Sequence, residues 1–492
     1  MRCVLLSICL ATAINIPLEA NTKPPLFVGI DGRTRSPAAI DAAVIHVMQG
    51  AKVPGLALGL INSGKVVYLK AYGVKAMAPS KPLTVNSVMV AGSFTKVAFA
   101  YLVMKLVDRH VLDLDKPVYE YLSQPLADYP NWRDIADDPR YKLITARMLL
   151  SHTAGFPNVR YFDPGHRLTL HFQPGTQYAY GSEGYDLLQL VIETVTKRPT
   201  EELMQEYVFR PLGMTRTSMI WQDTFETDYA NGYDEYGRLL GHQRRKTANA
   251  AGSMQTTVTD YSRFTLAILS GRGLRKETHA QMLSMQIAIN SKFEFPTFPS
   301  DTTDQYQDIQ LAYGLGVGLY RTPHGRAFFK EGHDEGWRTY VICHQDQATC
   351  MVIMTNSSNG EGIYSALLKE LLGDTWNPID WELFTPYDKL PPRKLLSDHT
   401  AIEVPPFWLT MLAGRYGTQT QAFSVEPEGD HLAVIENGQP KRELFPQTWT
   451  IYFSKTTGET FTFLFDIDTR AFRILRQTQG QDELIPNLEW AH

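Results

Sequence analysis

At 492 residues the chain is longer than one compact domain usually is. Its 43% hydrophobic and 20% charged residues make a globular sequence and exclude a disordered one. A net charge of −5 excludes a nucleic-acid binder that relies on a basic surface.

Residues 1–20 read as a signal peptide. Met1-Arg2 is followed by an apolar run from Val4 to Ile14 and then by small residues, with cleavage after Ala20 or Ala13. That run is too short to span a membrane, and no later run is long enough. The chain is therefore expected to be exported, periplasmic or secreted, with no stable membrane span. Of four cysteines, Cys3 and Cys9 would leave with the signal. Cys343 and Cys350 remain, in two apolar runs that suggest a hairpin. A disulfide and two free buried thiols are both open readings.

Ala38 to Met48 is helical. Leu56 to Ile61 and Val66 to Ala71 are strands around the turn Asn62-Ser63-Gly64-Lys65. Val88 to Ala91 is extended, and Gly92 permits a tight turn. From Ser93 a helix begins, with Phe94, Val97, Ala98, Tyr101, Leu102 and Leu106 at helical spacing. Ser93 stands at its N-terminus, and Lys96 lies one turn on, on the same face. A serine hydroxyl needs a neighbouring base to become a nucleophile, and a lysine in a dry site can lose its proton and serve. One S-x-x-K is weak evidence: an N-capping serine and a surface lysine would look the same.

Leu112 to Tyr121 is a turn and short helix, and Asp128 to Tyr141 a surface loop. Thr145 to Leu150 is helical and runs into L-L-S-H-T-A-G. There His152 reads as a structural histidine holding backbone groups. Pro174-Gly175 is a turn, and Tyr180 falls between it and a helix from near Gly184. Further helices are expected over Glu201 to Leu212 and opening at Ala251-Gly252-Ser253-Met254, followed by an irregular excursion from Ser284 to Gln310. Ala312 to Tyr320 and Phe328 to Glu331 are strands. G-H-D-E-G-W follows, then strands Arg338 to Cys343 and Cys350 to Thr355, then a helix over Ile363 to Leu372. Prolines and charges cluster as in a linker over 381–405. From 406 to 492, short alternating runs such as His431 to Ile435 and Thr460 to Phe465 indicate a small all-β barrel or sandwich.

Five motifs come in order: G-S-F-T-K at Gly92 to Lys96, L-L-S-H-T-A-G at Leu149 to Gly155, P-G-T-Q-Y-A-Y at Pro174 to Tyr180, P-L-G-M at Pro211 to Met214 and G-H-D-E-G at Gly332 to Gly336. Together they resemble the serine β-lactamase-like family of class C β-lactamases, penicillin-binding proteins and related esterases and peptidases. L-A-G-R-Y at Leu412 to Tyr416 is similar to the start of a lipocalin-like domain appended to such hydrolases. The resemblance implies an α/β (α+β) catalytic domain over 21–380, an antiparallel sheet flanked by helices. It implies Ser93 as nucleophile, Lys96 as its base and Tyr180 as the proton relay. His333 would open the strand motif that lines the cleft. The N–H groups of Ser93 and Gly336 would form the oxyanion hole, at about 3–4 kcal/mol each. Two positions depart from the family. Ser182 stands where it has asparagine, and Glu335 where it has glycine. A cleft-facing Glu335 would repel substrate carboxylates, which favours esters or amides without one. A non-catalytic binding protein that kept the fold is the alternative these two departures would fit.

Other chemistries read poorly. There is no H-E-x-x-H, no P-loop and no G-x-S-x-G. Asp163, His166 and His171 share a loop but make a poor metal site. No cofactor or metal is implied, and the expected partner is a small-molecule or peptide substrate. Nothing in the sequence bears on oligomeric state.

Overall fold

The computed structural model describes residues 26–160, 167–295, 301–390, 398–466, 471–478 and 481–488. The expected signal peptide, Asp163 and His166 lie outside the described residues.

Helix α1 (Pro37–Ala51) begins where Ser36 Oγ accepts from the N–H of Ala39 at 3.2 Å, with proline at the first helical position. Strands β1 (Gly55–Asn62) and β2 (Lys65–Met77) follow. Ser63 and Gly64 between them both have positive φ, 50° and 70°, as a two-residue hairpin turn requires. The same body also contains α2 (Phe94–Asp108), α3 (Glu183–Thr196), α4 (Val258–Ser270), β3 (Gly318–Thr322), β4 (Gly325–Asp334), β5 (Trp337–His344) and β6 (Thr349–Thr355). A nine-stranded sheet runs, in spatial order, from short strands Ile287–Ala288 and Ala312–Tyr313 through β3-β4-β5-β6-β1-β2 to Ser80–Pro82. The pairings through its long strands are antiparallel. One face packs on α2 and α4, the other on α1 and the segment Tyr364–Leu372. Helix α2 is buried on nearly every side, which is why its apolar residues do not form a single stripe.

Several local expectations are corrected. Ala312 to Tyr320 is two short strands joined by a turn at Gly314 to Val317, not one. Ala251 to Met254 is a turn, and the helix starts at Val258, where Thr257 caps it. The segment Asp128 to Tyr141 holds 3-10 turns that bury Trp132 and Ile135. The polar stretch after Asp380 does not end that body, since Trp381 is fully buried in its core. Cys343 and Cys350 face each other across β5 and β6 and are joined in a disulfide.

The C-terminal region is an eight-stranded antiparallel barrel from Gly414–Gly417 to Gln481–Ile485. The bridge between Tyr416 and Asn487, and the bond from Leu488 N to Arg415 O at 2.8 Å, join its last segment to its first strand. Its apolar core includes Leu409 and Leu412 from the helix Pro406–Leu412 that precedes it. Among the described residues no helix is long and apolar enough to cross a membrane.

Candidate active site

Strand β3 pairs with β4 only as far as Gly318 opposite Phe329. Beyond that, Lys330 to Asp334 have no β3 partner, and the turn entering α2 lies beside them. A Cβ on Gly92 would lie 2.8 Å from both the N and the O of His333, and Gly92 has φ +52°. A Cβ on Gly332 would overlap the carbonyl of Ala91. Glycine at both positions lets the strand and the helix entry meet backbone to backbone.

This contact places Ser93 at the junction. Its Oγ is 3.2 Å from Lys96 Nζ and accepts from the Tyr180 hydroxyl at 2.8 Å. Lys96 Nζ also donates to the Ala251 carbonyl at 2.8 Å. The Tyr180 segment is held by His152, whose carbonyl accepts from Ala179 N at 2.9 Å and whose Nδ1 accepts from Gly181 N at 3.2 Å. Burial and the nearby Lys96 and Lys330 keep His152 well below the usual histidine range, so its ring is neutral and serves as a scaffold.

Lys96 is 1% exposed. Burial, helped by the Lys330 ammonium, lowers its pKa to about 7. Burial pushes the Tyr180 phenol well above 10, so it keeps its proton at neutral pH. The Tyr180 ring lies under both lysines, with Lys96 Nζ 5.0 Å and Lys330 Nζ 4.6 Å from its centroid.

The strand motif therefore sits three residues earlier than the sequence suggested. Lys330-Glu331-Gly332 provides the lysine beside Tyr180 and the glycine against the helix entry. The His333 side chain is half exposed, 3.5 Å from Glu361 and 3.9 Å from Glu335. Its backbone is what meets Gly92, the residue before Ser93. Asp334 and Trp337 close the β4–β5 hairpin. In such a ladder the next pair, His333 and Arg338, turns its N–H and C=O outward, for His333 towards Gly92. Gly336 N–H donates instead to Ser358 Oγ at 3.0 Å. Ser182 is turned to Asn158, whose Oδ1 accepts from its hydroxyl at 2.8 Å. Ser93, Lys96 and Tyr180 are thus brought together; Ser182, Glu335 and Gly336 make their polar contacts with Asn158, His333 and Ser358 instead.

Sequence reasoning missed the buried charge around Lys330. Its ammonium touches Glu331 and lies 3.5 Å from Glu294. Carboxylate oxygens of Glu294, Glu331 and Glu382 all lie within 4.8 Å of one another. Burial and neighbouring Glu331 raise Glu294 to about 8, and burial with Glu294 beside it raises Glu382 well above its ordinary value. Burial alone would discharge Lys330, but Glu331 holds it well above the usual lysine range. Lys330 and Glu331 form the ion pair of the cluster, and Glu294, raised to about 8, is mostly protonated beside it at neutral pH. The K-x-G spelling at 330–332 was the available signal for Lys330; Glu294 and Glu382, far apart in sequence, gave none.

Residues 40–372 match the beta-lactamase family. The chain belongs to that family. Among curated relatives it is 24% identical to penicillin-binding protein 4 of Amycolatopsis lactamdurans, over 68% of this chain and 89% of that one. It is 22% identical to penicillin-binding protein 4* of Bacillus subtilis, over 86% and 93%. Two solved structures share the fold. The octameric penicillin-binding protein homologue from Pyrococcus abyssi aligns with TM-score 0.56 and 21% identity, over 91% of this chain and 99% of that one. The D-alanine carboxypeptidase AmpC from Burkholderia cenocepacia aligns with TM-score 0.55 and 18% identity, over 68% and 96%. The fold is that of the serine β-lactamases and penicillin-binding proteins, and the family is one of serine hydrolases.

Proposed function

We propose that this β-lactamase-family protein is an exported serine hydrolase that forms an acyl-enzyme at Ser93 from ester or amide substrates without a free carboxylate. The observation that carries the reading is the hydroxyl of Ser93 held at once by a buried lysine and a buried tyrosine. Near pH 7 about half of Lys96 is uncharged, so its lone pair can take the Ser93 proton as Oγ attacks a carbonyl. The N–H groups of Ser93 and His333 receive the oxyanion. The protonated Tyr180 phenol hands a proton to the leaving group and recovers one when water attacks the ester. Pairing of Lys330 with Glu331 removes the free cation that a substrate carboxylate would seek, which ranks esterase or peptidase activity above true β-lactamase activity. The Cys343–Cys350 disulfide fits an oxidising compartment outside the cytosol. The barrel is read as lipocalin-like.

Labelling by a fluorophosphonate, followed by a panel of neutral ester, D-amino-acid amide, D-Ala-D-Ala and cephalosporin substrates, tests this. Ser93→Ala should lose all labelling while keeping its melting transition. Labelling that persists in that variant removes Ser93 from the mechanism.

A further inference from the structure

Among the described residues the barrel meets the catalytic body at Val159 and at Arg238, and each lies on a segment that leads to the candidate site. On one side, Val159 is buried within the barrel's own apolar cluster. Its two neighbours tie it to the Tyr180 segment. Asn158 accepts from the N–H and hydroxyl of Ser182 at 3.2 and 2.8 Å. Arg160 forms a buried ion pair with Glu183 at 2.7 Å. Ser182 and Glu183 follow Tyr180 by two and three positions.

On the other side, Arg238 donates from Nη2 to Thr462 Oγ1 at 3.0 Å and from Nη1 to Gln477 Oε1, both on the barrel wall. Asp234 holds Arg238 at 2.6 Å. Asp234 adjoins the strand Gly232–Tyr233, and Tyr233 exchanges backbone bonds with Asn356 and Ser358 at 3.2 and 2.8 Å. Ser358 in turn receives the N–H of Gly336, in the turn that follows the strand carrying His333. Gly232 itself is so close to Gly336 that a Cβ there would sit 2.8 Å from its Cα.

We infer that the barrel is a brace across the cleft mouth, joining the Tyr180 lip to the His333 lip and fixing how far they can part. The two lips rest on different layers, one on the helices and one on the sheet, so a rigid body bonded to both limits their separation. The barrel thereby determines specificity by size. Short acyl groups that fit the fixed gap react, and bulky acyl groups or branched polymers that need the lips to open do not. This rests on the hydrolase reading above.

The test uses the full-length protein and two p-nitrophenyl esters, acetate and 1-naphthoate, which share a leaving group. Arg238→Ala, and Arg238→Ala with Val159→Ala, release the brace without touching the catalytic trio. The double variant should raise kcat/KM for the naphthoate about tenfold relative to acetate. Acetate turnover should stay within about twofold of wild type. Hydrogen exchange provides a readout independent of catalysis. In Arg238→Ala, exchange should rise at residues 156–160, on the lip the substitution does not touch. Unchanged ester ratios in the double variant, or both esters falling together, overturn the size filter. Exchange confined to 232–241 overturns the brace. Wild-type protein that no fluorophosphonate labels would instead sink the hydrolase reading, and the exchange experiment would still decide the brace.

Discussion

Replacing Lys330 with methionine should move the acid limb of Ser93 acylation upward by about one pH unit. Both lysine ammoniums lie over the same tyrosine ring, 5.0 and 4.6 Å from its centre, so they are at most about 10 Å apart. At an effective dielectric of about 20 that separation costs roughly 1.7 kcal/mol, or about 1.2 pH units. Methionine keeps the length of the side chain and removes the charge. The sign follows from the base's role. Lys96 acts only when deprotonated, its deprotonated fraction rises with pH through about 7, and losing a neighbouring cation raises that midpoint. The midpoint should move to about 8, which makes labelling about fivefold slower at pH 7 and leaves the relative rate unchanged well above pH 9. The assay is the second-order rate of fluorophosphonate labelling from pH 5.5 to 10. A change in plateau alone reports lost positioning. A midpoint that stays at 7, or falls, refutes the electrostatic role given to Lys330.

Gly332→Ala should abolish labelling and lower stability by about 1–3 kcal/mol, because its Cβ would meet the Ala91 carbonyl behind the nucleophile; thermal melting and labelling check it together. Glu331→Thr should raise kcat/KM for a cephalosporin about tenfold over a neutral ester, since the substrate carboxylate then takes the place of Glu331 as the partner that keeps Lys330 charged. Glu335→Gly should change both substrates alike, its carboxylate being turned to His333; a selective gain on the cephalosporin there, and none for Glu331→Thr, would restore Glu335 as the discriminating residue. Replacing Cys343 and Cys350 with alanine should cost up to about 2.5 kcal/mol, set by the short loop they close, and leave labelling intact.

The architecture was legible where pattern and physics coincide. The hairpin at Asn62 to Lys65 needs two positive φ values, and Ser63-Gly64 supplies them. The barrel declared itself by alternation and regularly spaced turns. Ser93, Lys96 and Tyr180 were legible because their spacing is local or their motif distinctive. The strand motif was misread by three residues for a physical reason. Gly332 and Gly336 both look like glycines placed for close approach, and only the end of β3 pairing at Gly318 decides which one meets the helix. The start of α4 was misplaced because Ala251 to Met254 looks helical, yet the Ala251 carbonyl is spent on Lys96. Trp381 looked like linker because its neighbours are polar, and only the tertiary fold buries it.

Moving the motif to Lys330-Glu331-Gly332 changes which departures from the family carry weight. Ser182 and Glu335, the two suspect positions, both face away from the nucleophile. Glu331 is the departure that remains, and it lies at the centre of the buried charge. A dry site tolerates little net charge, because an unpaired ion there loses its hydration without return. Here Lys96 is half discharged, His152 is neutral, Glu294 holds a proton, and burial beside Glu294 pushes Glu382 towards its neutral form. Lys330 with Glu331 adds no net charge to these. A threonine in place of Glu331 would leave Lys330 without the partner that holds its proton against burial, and an incoming carboxylate would take that partner's place. Glu331 thus keeps Lys330 charged in the empty site and occupies the place an anionic substrate would take.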